Sequence, residues 1–87
     1  MNLRSLRFFL AVAENNGVQK AAESLHLTQP NISRALKALE EELNAQLFVR
    51  TARGVEITEE GELLRMRAEE ILSLVDKHQG RICRFKG

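Results

Sequence analysis

The stretch AAESLHLTQPNISRALKALEEEL, Ala21 to Leu43, decides the fold. It is helix-forming almost throughout, yet Pro30 stands in its middle. Inside a helix, proline removes an amide hydrogen bond and clashes with the preceding turn. In the first turn its missing N–H costs nothing. Thr28, two residues earlier, is a good N-cap, because its hydroxyl can accept from an orphan amide of the turn that follows. Pro30 therefore begins a helix, predicted over about Gln29 to Leu43. Ile32, Leu36, Leu39 and Leu43 fall in one narrow apolar stripe of it, and Pro30, Ser33, Arg34 and Lys37 lie on the opposite face. Asn44 can close its end in the left-handed conformation. Upstream, Val18 to Leu25 reads as a short helix with Val18, Ala21, Ala22 and Leu25 inward. The adjacent alanines suit close approach of another helix, and His26 to Thr28 form the connection.

Working outward, Leu3, Leu6, Phe9, Leu10 and Ala13 recur at helical spacing, which predicts a first helix over Leu3 to Glu14. Asn15, Asn16 and Gly17 stop it. Beyond Leu43 the period changes. Val55 and Ile57 alternate with Glu56, and TARG, Thr51 to Gly54, supplies a turn. A short hairpin over about Leu47 to Ile57 follows, with Arg53 near its tip and with Leu47 and Phe48 anchoring it to the helices. Thr58 caps a fourth helix, and Glu59, Glu60 and Glu62 suit the positive end of its dipole. Leu64, Ala68, Ile71, Val75, His78, Ile82 and Phe85 recur in steps of four and three, a heptad seam. A helix from Thr58 to Phe85 would be about 40 Å long, too long to bury its seam on so small a domain, so its far half calls for a partner. The fold class expected is mainly α: three helices and a short β-hairpin wing over residues 1–57, then a long C-terminal linker helix over 58–87.

Bulk composition narrows the function. The chain has 87 residues, 44% hydrophobic and 29% charged, which suits one small globular domain. No apolar run spans a membrane, and the N-terminal apolar patch is followed by Glu14 and two asparagines rather than a cleavage site. The single cysteine, Cys83, cannot form an internal disulfide, which points to a reducing cytoplasm. His26 and His78 have no neighbouring ligands, so neither a metal nor a cofactor is expected. Net charge is only +1, so a nucleic-acid partner would have to be met by a local basic patch. Lys20, Arg34, Lys37, Arg50 and Arg53 supply one, whereas the Glu40-Glu41-Glu42 run reads as a solvated face that disfavours DNA near the end of the third helix.

Two helices joined by a tight turn, the second starting with short polar side chains, are a helix-turn-helix. A major groove admits one helix, whose leading turns reach the base edges. Gln29, Ser33 and Arg34 carry groups that can read those edges, and Pro30 can lie against a thymine methyl. Arg53, on the hairpin beside this helix, is placed for the adjacent minor groove, whose negative potential attracts arginine. Thr28, Lys37 and Arg50 are candidates for phosphate contact. Each has a plainer alternative: Thr28 and the first-turn residues as caps, Lys37 as a solvated charge, Arg50 as half of an internal ion pair.

These residues also carry a resemblance. The run of Ala21, Ala22, Leu25, Thr28, Gln29, Pro30, Ser33, Arg34, Leu39, Glu40, Leu43, Leu47, Phe48, Arg50, Thr58 and Gly61 resembles the signature of the LysR-type transcriptional regulators, across almost the whole chain. The chain departs from that pattern at Asn16 and Gly17, where Gly-Ser is frequent, and at Gln19, where a threonine is common. It departs again at Asn44, where glycine is frequent, and at Glu56, where a basic wing residue is common. The resemblance implies a sequence-specific module for double-stranded DNA, acting as a bacterial-type transcription regulator. It also implies a homodimer through the linker helix, through Leu64, Ala68, Ile71, Val75, His78 and Ile82, on an interrupted inverted repeat. Control by a small-molecule effector would belong to a C-terminal domain outside these residues.

Two rival classes remain at this point. A winged helix that binds only protein would suit the near-zero net charge, but Arg34 and Arg53 occupy both expected groove positions. An enzyme would need an acid–base pair, an activated nucleophile or a phosphate loop, and no such motif stands in the chain.

Overall fold

Asn2 opens the first helix, α1 (Leu3–Asn15), by accepting on its side-chain oxygen from the amide of Ser5 at 2.8 Å. This is a computed structural model, describing the backbone of residues 1–86 and the side chains of residues 1–76. Helix α2 (Val18–Leu25) and helix α3 (Gln29–Leu43) follow. They lead to an antiparallel hairpin, β1 (Phe48–Thr51) and β2 (Gly54–Ile57), and then to helix α4 (Glu59–Lys86). The expected architecture of three helices, a two-stranded wing and a long final helix is the one observed.

The core follows from the apolar stripes. Phe8, Phe9, Ala11 and Val12 of α1 meet Ala21 and Ala22 of α2 and Ile32, Leu36 and Leu39 of α3. The paired alanines bring α2 close, as small side chains permit. Pro30 sits in the first turn of α3 as expected, and Thr28 occupies its N-cap position. The Thr28 hydroxyl, however, makes no capping hydrogen bond. Leu43 also departs from the expected stripe: it is 38% exposed, because the last turn of α3 runs past the edge of the core.

All three short helices end in the same way. A left-handed residue (Asn16, His26 or Asn44, with φ of 56°, 58° and 50°) lets the next amide reach back to the carbonyl five residues earlier. Those bonds run from Gly17 to Val12, Leu27 to Ala22 and Ala45 to Glu40. Asparagine tolerates this conformation well, so His26 is the strained member of the set.

The wing pairs Phe48 with Ile57, Val49 with Glu56, Arg50 with Val55 and Thr51 with Gly54. Phe48 anchors it, its ring centroid 5.3 Å from that of Phe9. Leu47, just before β1, is fully buried and its backbone is held on both sides. Its amide donates to Glu40 Oε2 at 2.7 Å, and its carbonyl accepts from the amide of Thr58 at 2.9 Å. Thr58 caps α4, its Oγ1 accepting from the amide of Gly61 at 3.0 Å and donating to the carbonyl of Gln46 at 2.5 Å.

Helix α4 divides the expected seam. Ala68 is 0% exposed and packs with Leu72 against Leu6, flanked by Leu64 and Leu10. The apolar demand of Leu64 and Ala68 is thus met inside the chain, by α1, rather than left for a second copy. Leu72, outside the heptad pattern, completes this contact because the observed inner stripe drifts with the true helical period of 3.6. Arg7 bridges the same two helices, its Nη2 lying 3.0 Å from Asp76 Oδ1. Ile71, Leu63 and Leu74 remain exposed, and Val75 is half-buried. The seam positions His78 and Ile82, with Cys83 and Phe85, lie outside the residues whose side chains are described.

The first turn of α4 lies against the base of the wing so closely that only glycine fits at position 61. A Cβ there would stand 2.4 Å from the Leu47 carbonyl oxygen and 2.5 Å from Ile57 Cγ1. Gly61→Ala is expected to lower the unfolding free energy by roughly 1–3 kcal/mol. It should do so against a helix-propensity gain of about 1 kcal/mol. Urea denaturation checks this, and an unchanged or raised midpoint would contradict the packing described.

Candidate nucleic-acid interface

The burial of Ile32, Leu36 and Leu39 turns the other flank of α3 to solvent. Thr28, Gln29, Pro30, Ser33, Arg34 and Lys37 are all exposed there. Gln29, Pro30, Ser33, Arg34 and Lys37 thus occupy the flank of α3 opposite its buried stripe, with Thr28 just before it at the N-cap position. The hydroxyl of Thr28, free of a capping role, adds a polar group at the edge of that surface where α3 begins.

Within this flank Arg34 is ordered by its own helix. Its Nε donates to the Pro30 carbonyl at 3.3 Å and its Nη2 donates to Asn31 Oδ1 at 2.7 Å. Among the described residues, Arg34, Lys37, Arg50 and Arg53 form no ion pair with a carboxylate. Arg50 therefore does not form the internal ion pair considered for it among the described residues.

The hairpin carries two of those charges. Arg53 stands at the two-residue turn between β1 and β2, where its amide donates to Thr51 Oγ1 at 3.2 Å. Gly54 follows with φ of 118°, a conformation that favours glycine, and so closes the turn tightly. The Arg53 side chain lines a cleft with Asn16, Gly17 and Lys20 at the start of α2. Arg50 shares the hairpin face of Phe48, Val55 and Ile57, and it borders a crevice with Leu36 and Glu40. Glu56, opposite Val49, belongs to the other face.

Glu40 corrects the sequence-based view of the acidic run. Glu41 and Glu42 are exposed, but Glu40 is half-buried, and its carboxylate accepts from the amides of Leu47 at 2.7 Å and Phe48 at 3.4 Å. It ties the recognition-type helix to the root of the wing. The signal was present in the chain: Glu40 borders the apolar stripe of α3, seven residues before an amide that begins a strand with no ladder partner of its own. Asn31 belongs to the same flank, because i, i+3 spacing puts it beside Arg34.

Comparison with known proteins bears on this surface. Residues 3–62 match the family described as bacterial regulatory helix-turn-helix protein, lysR family. The HTH-type transcriptional regulator TfdT of Cupriavidus pinatubonensis is 43% identical over 81 residues, 93% of this chain and 36% of TfdT. BudR of Klebsiella aerogenes is 47% identical over 76 residues, 87% of this chain and 53% of BudR. The chain thus spans about a third to a half of the length of these curated relatives. Among solved structures, the BenM DNA-binding domain on catB site 1 DNA superposes with a TM-score of 0.94 at 41% identity, covering 100% of this chain and 98% of that one. The CbnR DNA-binding domain in its DNA complex gives 0.90 at 37% identity, with each chain covered completely.

Proposed function

The chain belongs to the LysR family of bacterial regulatory helix-turn-helix proteins, and on that premise we propose that it is the sequence-specific DNA-binding module of a transcription regulator. One observation carries this reading: the exposed flank of α3 and the Arg53 wing tip sit on a backbone that superposes on DNA-bound domains at 37–41% identity. Helix α3 enters the major groove, where Gln29, Pro30, Ser33 and Arg34 meet base edges. Arg53 enters the adjacent minor groove, drawn by its negative potential. Thr28, Lys37 and Arg50 neutralise or hydrogen-bond phosphates and fix the register of the module on the duplex. The acidic Glu41 and Glu42 stand at the far end of α3 and keep that end away from the backbone.

In this reading residues 1–57 form the DNA-reading unit and residues 58–87 the linker, which joins two copies on an interrupted inverted repeat. The inner side of α4 is occupied by α1, so the second copy meets its outer side. Among the described residues, Ile71 is the seam position that stays exposed, and Leu63 and Leu74 flank it at 57% and 58% exposure. Response to a small molecule belongs to the remaining length of the intact regulator, which works on DNA in the cytoplasm.

Binding to a duplex selected from a random pool, followed by mobility shift, tests the central part. The association constant should fall steeply as salt rises, because each neutralised phosphate releases counterions. Arg34→Ala should cost roughly 1–3 kcal/mol on the selected duplex and relax preference at one base pair. Salt-independent binding, or equal loss on selected and random duplexes, would refute groove reading by α3. For the second copy, Leu74→Asp should lower the sedimenting mass from dimer to monomer while the far-ultraviolet helical signal stays unchanged at low temperature, since Leu74 lies outside the core. An unchanged mass would refute the outer-face assignment.

A further inference from the structure

Arg34 carries five N–H donors and no acceptor, so its neighbours decide which of them face outward. Nε and Nη2 form one edge of the planar guanidinium. Both donate backward, Nε to the Pro30 carbonyl at 3.3 Å and Nη2 to Asn31 Oδ1 at 2.7 Å. The other edge, Nη1 with the second hydrogen of Nη2, is turned away from those acceptors. Two parallel donors on that edge match the N7 and O6 acceptors of guanine, and they mismatch adenine, which presents a donor beside its N7.

The same bond fixes the chemistry of Asn31. Because Arg34 can only donate, the atom facing it must be the amide oxygen, and the amide nitrogen is what Asn31 presents outward. An asparagine that grips adenine by itself needs its oxygen and its nitrogen together. Here one lone pair of the oxygen is committed to Arg34, which fixes the direction in which the amide is held.

We propose that Asn31 is a specificity-determining positioning residue, which holds the Arg34 guanidinium edge-on so that the pair reads a guanine. This rests on the DNA-binding reading above. Asn31 and Arg34 are both exposed, so their mutual bond adds little to the stability of the fold. Its effect is to order a flexible side chain before binding, which removes part of the ordering cost from association with the correct base. Phosphate contact gains little from this, because a phosphate accepts from either edge of a guanidinium.

The test uses the full chain and a duplex selected by it from a random pool, with all four base pairs placed in turn at the position where Arg34→Ala relaxes preference. Asn31→Ala should reduce discrimination at that same position by about 2- to 10-fold. Affinity for random-sequence duplex and the thermal midpoint should stay unchanged, and Asn31→Ala should have no further effect when combined with Arg34→Ala. Asn31→Asp retains the acceptor, so it should preserve discrimination while weakening binding to every duplex through phosphate repulsion. Unaltered discrimination in Asn31→Ala, loss at a different base pair, or additive loss in the double variant would each overturn the role of Asn31. A wild-type chain that selects no duplex would overturn the DNA-binding reading and this inference with it. Selective wild-type binding with an indifferent Asn31→Ala variant would remove the inference alone.

Discussion

Leu47 is the point through which the parts of this molecule are held in register. Its side chain is buried among the helices, its amide is taken by Glu40 of α3, and its carbonyl is taken by Thr58 at the head of α4. Gly61 lets α4 close onto the same carbonyl. A two-stranded hairpin has too little surface to hold itself in water. Fastened at its root to two helices and at Phe48 to Phe9, it becomes a fixed extension of the helical body. The distance between Arg34 and Arg53 is then set by covalent geometry and packing rather than by chance.

That arrangement also explains how a chain with a net charge of +1 can serve a polyanion. Among the described residues, Arg34, Lys37, Arg50 and Arg53 are in no ion pair. Several of the acidic residues are engaged in other ways: Glu59, Glu60 and Glu62 stand at the dipole end of α4, and the Glu40 carboxylate is taken by the amides at the root of the wing. The field that a duplex meets is local, and averaging over the chain conceals it.

Much of this was legible in the sequence because local chemistry and tertiary demand agree. Thr28 and Pro30 mark the start of α3 whatever surrounds them, and the apolar spacing assigns its outward flank, so the exposed polar residues of that flank could be named in advance. The misplacements concern what a side chain actually meets, whether across space or within its own turn. Glu40 looked solvated beside two other glutamates until the amides of the next segment came to it. Leu64 and Ala68 fit a heptad seam, but α1 was the nearer apolar surface. Leu43 had the right phase and stood one turn too far along. Thr28 occupies the capping position without making the capping bond. Asn31 gained its meaning from the rotamer of Arg34, which no spacing rule specifies.

The central claim is that the hydrophilic flank of α3 and the tip of the wing together form the surface that meets DNA. Amide chemical-shift mapping of the isotope-labelled chain, titrated with the duplex it selects, tests this most directly. The expected result is that the largest shifts fall within residues 28–37 and at Arg53, with the outer side of α4 unmoved. Shifts centred on α4 or on the start of α1, with residues 28–37 unmoved, would contradict it.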